Sequence, residues 1–154
     1  MSRYEDLHRV YNEVKESNDE YWRDLRRMID SIRSDFSNYL DVGNDVINVA
    51  GVTRPIVAIG VSAEDGAFKN WATNSLPKQD SSIAFALCLS FPHAADAEPK
   101  PEFVYDLMIK KDVQGYWVII PGWQDESFCG PAFTKLFDRL ISLTGATIEN
   151  ARRL

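Results

Sequence analysis

The sequence predicts an α+β domain: an N-terminal helix or helix pair, a mainly antiparallel sheet of five to six strands, and a C-terminal helix. Three observations carry that class. Apolar residues recur every three or four positions from Tyr4 to Tyr39, the pattern changes to short apolar runs bounded by Gly, Pro and Asn between Val46 and Ile120, and the helical spacing returns from Phe133. A chain of 154 residues fits one domain, which at this size buries about 70% of its unfolded surface and needs neither disulfide nor metal to fold.

The first helix carries Tyr4, Leu7, Tyr11, Val14, Tyr21, Leu25, Met28, Ile32 and Tyr39 on one stripe, with Asn18 and Asp35 in the same register. One unbroken helix of about 36 residues is roughly 54 Å long, whereas a compact domain of this size is about 40 Å across. The helix must therefore project or break. Ser17-Asn18-Asp19-Glu20 has the form of a capping box, so a break or sharp kink is expected there. The division is then an N-terminal helical arm over residues 1–17 and a single α+β domain over 18–154. Tyr21 to Tyr39 gives a broad apolar face suited to a sheet, and Tyr4 to Val14 a narrow one. The narrow stripe reads as a flap, an arm or a homodimer element, or as a segment folded back on its own domain. Arg23, Arg26, Arg27 and Arg33 form the helix's basic cluster, which Asp24 and Asp30 dilute; a solvated face is the expectation.

Strands are expected at Val46–Val52, Ile56–Ser62, Ala67–Thr73, Ser82–Phe91, Phe103–Lys110 and Tyr116–Ile120, with hairpin turns at residues 63–66 and 111–115. Two of these strands split into a large-residue face and a small-residue face. The small side holds Ala58, Gly60 and Ser62 on one strand and Ser82, Ala84, Ala86, Cys88 and Ser90 on the other. Either the broad helix fills that space, or Ala58, Gly60, Ala84, Ala86 and Cys88 form the floor of a small-ligand site in a sensory domain. The loop from His93 to Glu102 contains Pro99 and Pro101 and is expected to lie exposed. A last helix opens near Pro131, with Gly145 placed to end it.

No motif names a reaction. His8 and His93 lie far apart, neither Cys88 nor Cys129 has a partner at zinc-ligand spacing, and neither phosphate-binding glycine motif occurs, so no metal or cofactor is expected. Asp106 and Lys110 share a strand face and read as solvent-exposed. Cys129, placed before the expected helix opening, and His93 as its base are the only remote candidates for a cysteine-dependent enzyme.

Lys and Arg number 17 against 23 Asp and Glu, for a net charge of −6. Residues 1–40 hold 7 basic and 9 acidic side chains and residues 41–154 hold 10 and 14, so neither part has the basic character of a nucleic-acid binder. The longest apolar run, Ile83 to Leu89, is too short to cross a bilayer. No signal-peptide pattern is visible, and a cytoplasmic location is expected. Trp123, Asp125, Glu126 and Phe128 combine aromatic anchors with negative charge, and Asp96 and Glu98 add acidity on the Pro-rich loop. The functional expectation is a non-enzymatic protein-binding module, such as an inhibitor, immunity or adaptor protein. Its partner would be another protein, by charge a basic one such as a nucleic-acid-handling enzyme or toxin, with no membrane and no direct nucleic-acid contact. Trp123 and Phe128 closing the core is the alternative for that loop.

Overall fold

The computed structural model describes residues 2–49, 51–93, 97 and 100–152. Helix α1 runs unbroken over Arg3–Tyr39, about 55 Å at 1.5 Å per residue. Ser2 caps it, its Oγ accepting the Glu5 backbone N–H at 3.1 Å. The expected break at Ser17 does not occur. No Gly or Pro stands between Arg3 and Tyr39, and ending the helix there would orphan backbone groups that a continuous ladder satisfies. The Lys15–Asp19 ion pair, at 2.7 Å, spans the junction instead. The helix ends where Asp41 turns to φ 61 and the N–H groups of Val42 and Gly43 donate to the Ser37 carbonyl.

Nine strands follow among the described residues. The segment read as one strand from Val46 is a hairpin, β1 Val46–Val49 and β2 Val52–Pro55, turned at Gly51 with φ 85. The main sheet has seven strands, β3 Val57–Ser62, β4 Phe68–Asn70, β5 Lys78–Gln79, β6 Ser82–Ser90, β7 Glu102–Asp112, β8 Gly115–Ile120 and β9 Glu126–Cys129. Its order is β4-β3-β6-β7-β8-β9, with β5 pairing β6, and every pairing is antiparallel. Both expected hairpins form, β3–β4 and β7–β8. Two added strands, β5 and β9, are too short and polar to stand out in sequence. A short 3-10 turn, Thr73–Ser75, takes the end of the expected third strand.

Helix α2 spans Thr134–Asn150, three residues later than expected, with Phe133 at the N-cap. Gly145 lies within it. A single interior glycine costs about 1 kcal/mol relative to alanine, which the buried anchors Leu136, Phe137, Leu140 and Thr144 outweigh.

Both helices cover one side of the sheet. Leu25, Ile29, Ile32 and Phe36 of α1 and Leu136, Phe137 and Leu140 of α2 form one core with Val57, Ile59, Phe85, Leu87, Leu107 and Ile109. Phe36 stacks on Phe137 at 5.3 Å between ring centroids. The register pairs large with large, Ile83 opposite Ile109 and Phe85 opposite Leu107. The broad helix therefore packs on the large-residue face, and the small-residue face looks the other way.

Candidate protein-interaction surface

Only the second half of α1 touches the body. Its buried residues are Leu25, Ile29, Ile32, Phe36 and Ser37, while every residue from Leu7 to Glu20 is exposed. Those first eighteen positions, Arg3 to Glu20, form an arm about 27 Å long. It does not break and does not fold back on the body. Along it Tyr4 is 77% exposed, Leu7 71%, Tyr11 61%, Val14 54% and Val10 48%.

The stripe on the arm is the continuation of the core stripe. Eighteen residues make five turns at 3.6 residues per turn. Leu7 therefore points in the same direction as Leu25, Tyr11 as Ile29, Val14 as Ile32 and Asn18 as Phe36. The sequence repeats one amphipathic pattern throughout, and the body covers only its second half.

A polar clamp holds the arm's base. Tyr21 Oη donates to the Ser81 carbonyl at 2.6 Å and accepts the Lys111 backbone N–H at 3.2 Å. Lys111 Nζ meets Asp24 at 2.6 Å, and Tyr116 Oη donates to the same carboxylate at 3.3 Å. The Lys111 hydrogen bond holds the Asp24 carboxyl below its ordinary pKa, and the same bond raises that of Lys111. These groups fix the helix on the β7–β8 hairpin, so the arm leaves the body in a set direction. Beside them an open cleft runs from Ser17 and Glu20 to the exposed hairpin tip, Val113.

Of the residues expected on the acidic aromatic loop, Trp123 is fully exposed, at 100%. Phe128 is half-buried against the core. The two acids have partners within the chain: Asp125 accepts the Gly122 N–H of its own loop at 3.0 Å, and Glu126 pairs with Arg139 of α2 at 2.8 Å. The loop thus divides, with Trp123 projecting and Phe128 helping to close the core. Asp96 and Glu98 lie outside the described residues.

The small-residue face is filled by other groups. Arg54, reaching over from β2, donates to Ser90 Oγ at 3.2 Å, approaches Cys88 Sγ at 3.8 Å and pairs with Glu102. At the other end the Phe68 ring and the Lys69 carbonyl occupy the position where a Cβ on Gly60 would stand. Gly60, Ala86 and Cys88 are buried, and Ala58 and Ala84 half-buried. The small side chains make room for a folded-over strand and an arginine, while the helix expected there packs on the opposite face. Arg54 carried no signal, because a lone arginine between short strands resembles any surface residue.

Cys129 and His93 are kept apart. Cys129 ends β9, while His93 follows β6 and bridges to Val49. Three strand spacings separate β6 from β9 in the sheet order, about 14 Å at 4.8 Å each. Because α2 opens at Thr134 and not at Pro131, Cys129 stands five residues before the helix, with its Sγ 3.7 Å from the Gly130 carbonyl. Asp106 is exposed and accepts a hydrogen bond from Ser62 at 2.6 Å. Among the described residues no cluster of His, Cys, Asp and Glu has metal-binding geometry, and no helix is long and apolar enough to cross a membrane.

The basic cluster proves to line a groove between α1 and the 3-10 turn. Trp22, Arg23, Arg26 and Arg27 face Asn74 and Lys78 there, with Asp19 and Asp30 among them. Lys78 Nζ stands 4.9 Å from the centre of the Trp22 ring. Arg33 lies apart, donating to the Val57 carbonyl at 3.4 Å.

Fold and surface together define an α+β domain with a projecting amphipathic helix. Comparison with protein-family models, with curated proteins and with solved structures gave no match.

Proposed function

We propose that the protein is a non-enzymatic protein-binding module whose principal contact surface is the arm, Arg3 to Glu20, presented by the α+β body. The observation that carries this is the stripe of Tyr4, Leu7, Val10, Tyr11 and Val14, exposed on a helix that continues unbroken out of the core. An isolated helix of that length is marginal in water. An occupant on the stripe would bury the apolar surface and rigidify the arm together, and contiguous exposed apolar surface is the usual mark of an interaction site. Trp123, on the β8–β9 turn, is a second anchor, since a projecting aromatic supplies large contact area at low entropic cost. An inhibitor or adaptor role in the cytoplasm fits the acidic balance and the two thiols, which form no disulfide.

The test is affinity capture with the full chain and with a Leu7→Lys, Tyr11→Lys, Val14→Lys triple variant, followed by measurement of stoichiometry. The arm reading expects the variant to lose the stoichiometric partner, whether that partner is the chain itself or a different protein. A partner retained by the triple variant and lost on Trp123→Ala moves the contact surface to the β8–β9 loop.

A further inference from the structure

We propose that the occupant of the arm is the arm of a second copy, paired antiparallel about a twofold axis near Arg9. Tyr4 of each copy then lies against Val14 of the other, and Leu7 against Tyr11. The inference rests on the reading of the arm as a contact surface and adds which partner it takes and in which direction.

The direction follows from where the body sits. Because the arm's stripe points the same way as Leu25, Ile29 and Ile32, two helices joined in parallel would also turn those buried residues toward each other. That space is occupied in both copies by the sheet. Paired helix axes lie 8–10 Å apart, which leaves no room for two sheets between them. Antiparallel pairing sends the two bodies to opposite ends, and only the arms overlap.

The register follows from the side chains. In heptad terms Tyr4 and Tyr11 hold one seam position, and Leu7 and Val14 the other. Layers of an antiparallel pair join one position to the other. The stated register gives four layers, each of one tyrosine and one aliphatic residue, so the seam is complementary to itself and of nearly constant width. It leaves Asn18 outside. Each helix N-terminus stops level with Lys15 of the other copy, short of Ser17, where the β7–β8 hairpin closes in. Shifting by a heptad one way places Leu7 against Asn18 and drives the N-terminus level with Trp22, into the body. The other shift leaves only Tyr4 and Leu7 in contact.

The size is adequate. With the aromatic range of about 150–250 Å² scaled to their exposure, the two tyrosines, Leu7, Val14 and Val10 beside the seam amount at full burial to roughly 600 Å² per copy, or about 1,200 Å² for the pair, the lower limit of a standard interface. The arm's charges stay off the seam. Its six carboxylates, Glu5, Asp6, Glu13, Glu16, Asp19 and Glu20, exceed three cations, Arg3, Arg9 and Lys15. Arg9 with Glu13, at 3.3 Å, and Lys15 with Asp19 neutralise part of this. The remaining like charge on two arms is screened by salt. Self-pairing therefore tightens, or holds, as ionic strength rises, opposite to what a basic partner would show.

Sedimentation of the full chain between 1 and 100 µM, in low and high salt, is the first measurement. We expect the mass to rise from 17.5 kDa to twice that value, with the Leu7→Lys, Tyr11→Lys variant remaining monomeric and still folded by near-ultraviolet circular dichroism. Orientation is read by disulfide trapping in a Cys129→Ser background. A mixture of Tyr4→Cys and Val14→Cys chains should cross-link, and Tyr4→Cys alone should not, because its two sulfurs stand ten residues, about 15 Å, apart along the pair. Efficient cross-linking of Tyr4→Cys to itself overturns the antiparallel register. A chain that stays monomeric at 100 µM overturns self-pairing altogether, while the capture experiment above still decides separately whether the arm binds a different protein.

Discussion

Cys88 and Cys129 are one residue type in two environments. Cys88 is buried beneath Arg54, and burial raises its thiol pKa, whereas Cys129 is exposed at a strand end. A thiol reagent at neutral pH should therefore modify one cysteine in the native protein and the second only on unfolding. Arg54→Ala should speed the slow reaction severalfold by uncovering Cys88, and two thiols reacting at equal rates in the wild type would contradict this placement. Gly60 is the tightest backbone position. A Cβ there would lie 1.8 Å from the Lys69 carbonyl oxygen, a backbone atom that cannot rotate away. Gly60→Ala should cost about 1–3 kcal/mol, the usual range for overpacking, read as a lower urea midpoint. A midpoint unchanged from the wild type would mean that β4 yields freely.

At the scale of the element, α1 performs two tasks with one repeat. Leu25→Ala removes a buried side chain and should cost about 2–5 kcal/mol. Leu7→Ala, five turns away on the same stripe, should leave the unfolding free energy of the monomer within about 0.5 kcal/mol. Chemical denaturation of both at low protein concentration checks this, and equal losses would place the arm in the core. The clamp at the arm's base adds a pH dependence. The Asp24 pKa is lowered in the folded state, so its contribution is full above the unfolded value near 4 and is lost as pH falls through the folded one. The Lys111 pKa is raised, so its contribution is full below the unfolded value near 10 and is lost as pH rises through the folded one. The pair stabilises between those limits, and with side chains 27% and 37% exposed it contributes about 0.5–1 kcal/mol after screening. Asp24→Asn should lower the urea midpoint at pH 7, with the difference from wild type closing as pH falls through the lowered folded-state pKa of Asp24. A difference that persists there has another cause.

For the whole molecule, arm and body should separate cleanly. All core residues of α1 lie from Leu25 onward, so a chain lacking residues 3–17 should keep the near-ultraviolet dichroism and the cooperative unfolding of the full protein. Loss of cooperativity would show that the body depends on the arm. The narrow stripe of Tyr4 to Val14, set against the broad apolar face of Tyr21 to Tyr39, is the sequence feature that separates the two, and composition and charge add nothing to it. The arm's exposure follows from length alone: an unbroken helix of about 55 Å outruns a domain about 40 Å across.

Periodicity marked where the helices lie and the large and small faces of β3 and β6, and turn residues marked both principal hairpins, because each depends on residues close together in the chain. The tertiary structure decided the remainder. The capping signature at Ser17 is local and was overridden by the continuous ladder around it, with no glycine or proline to interrupt it. The small-residue face received Arg54 and Phe68 in place of the helix, and Cys129 was placed three strands from His93. These outcomes depend on which strands become neighbours and on which side of the sheet the helices settle. Both are set by how the large side chains of α1, α2 and the sheet fill a single core, and no spacing along the chain encodes that.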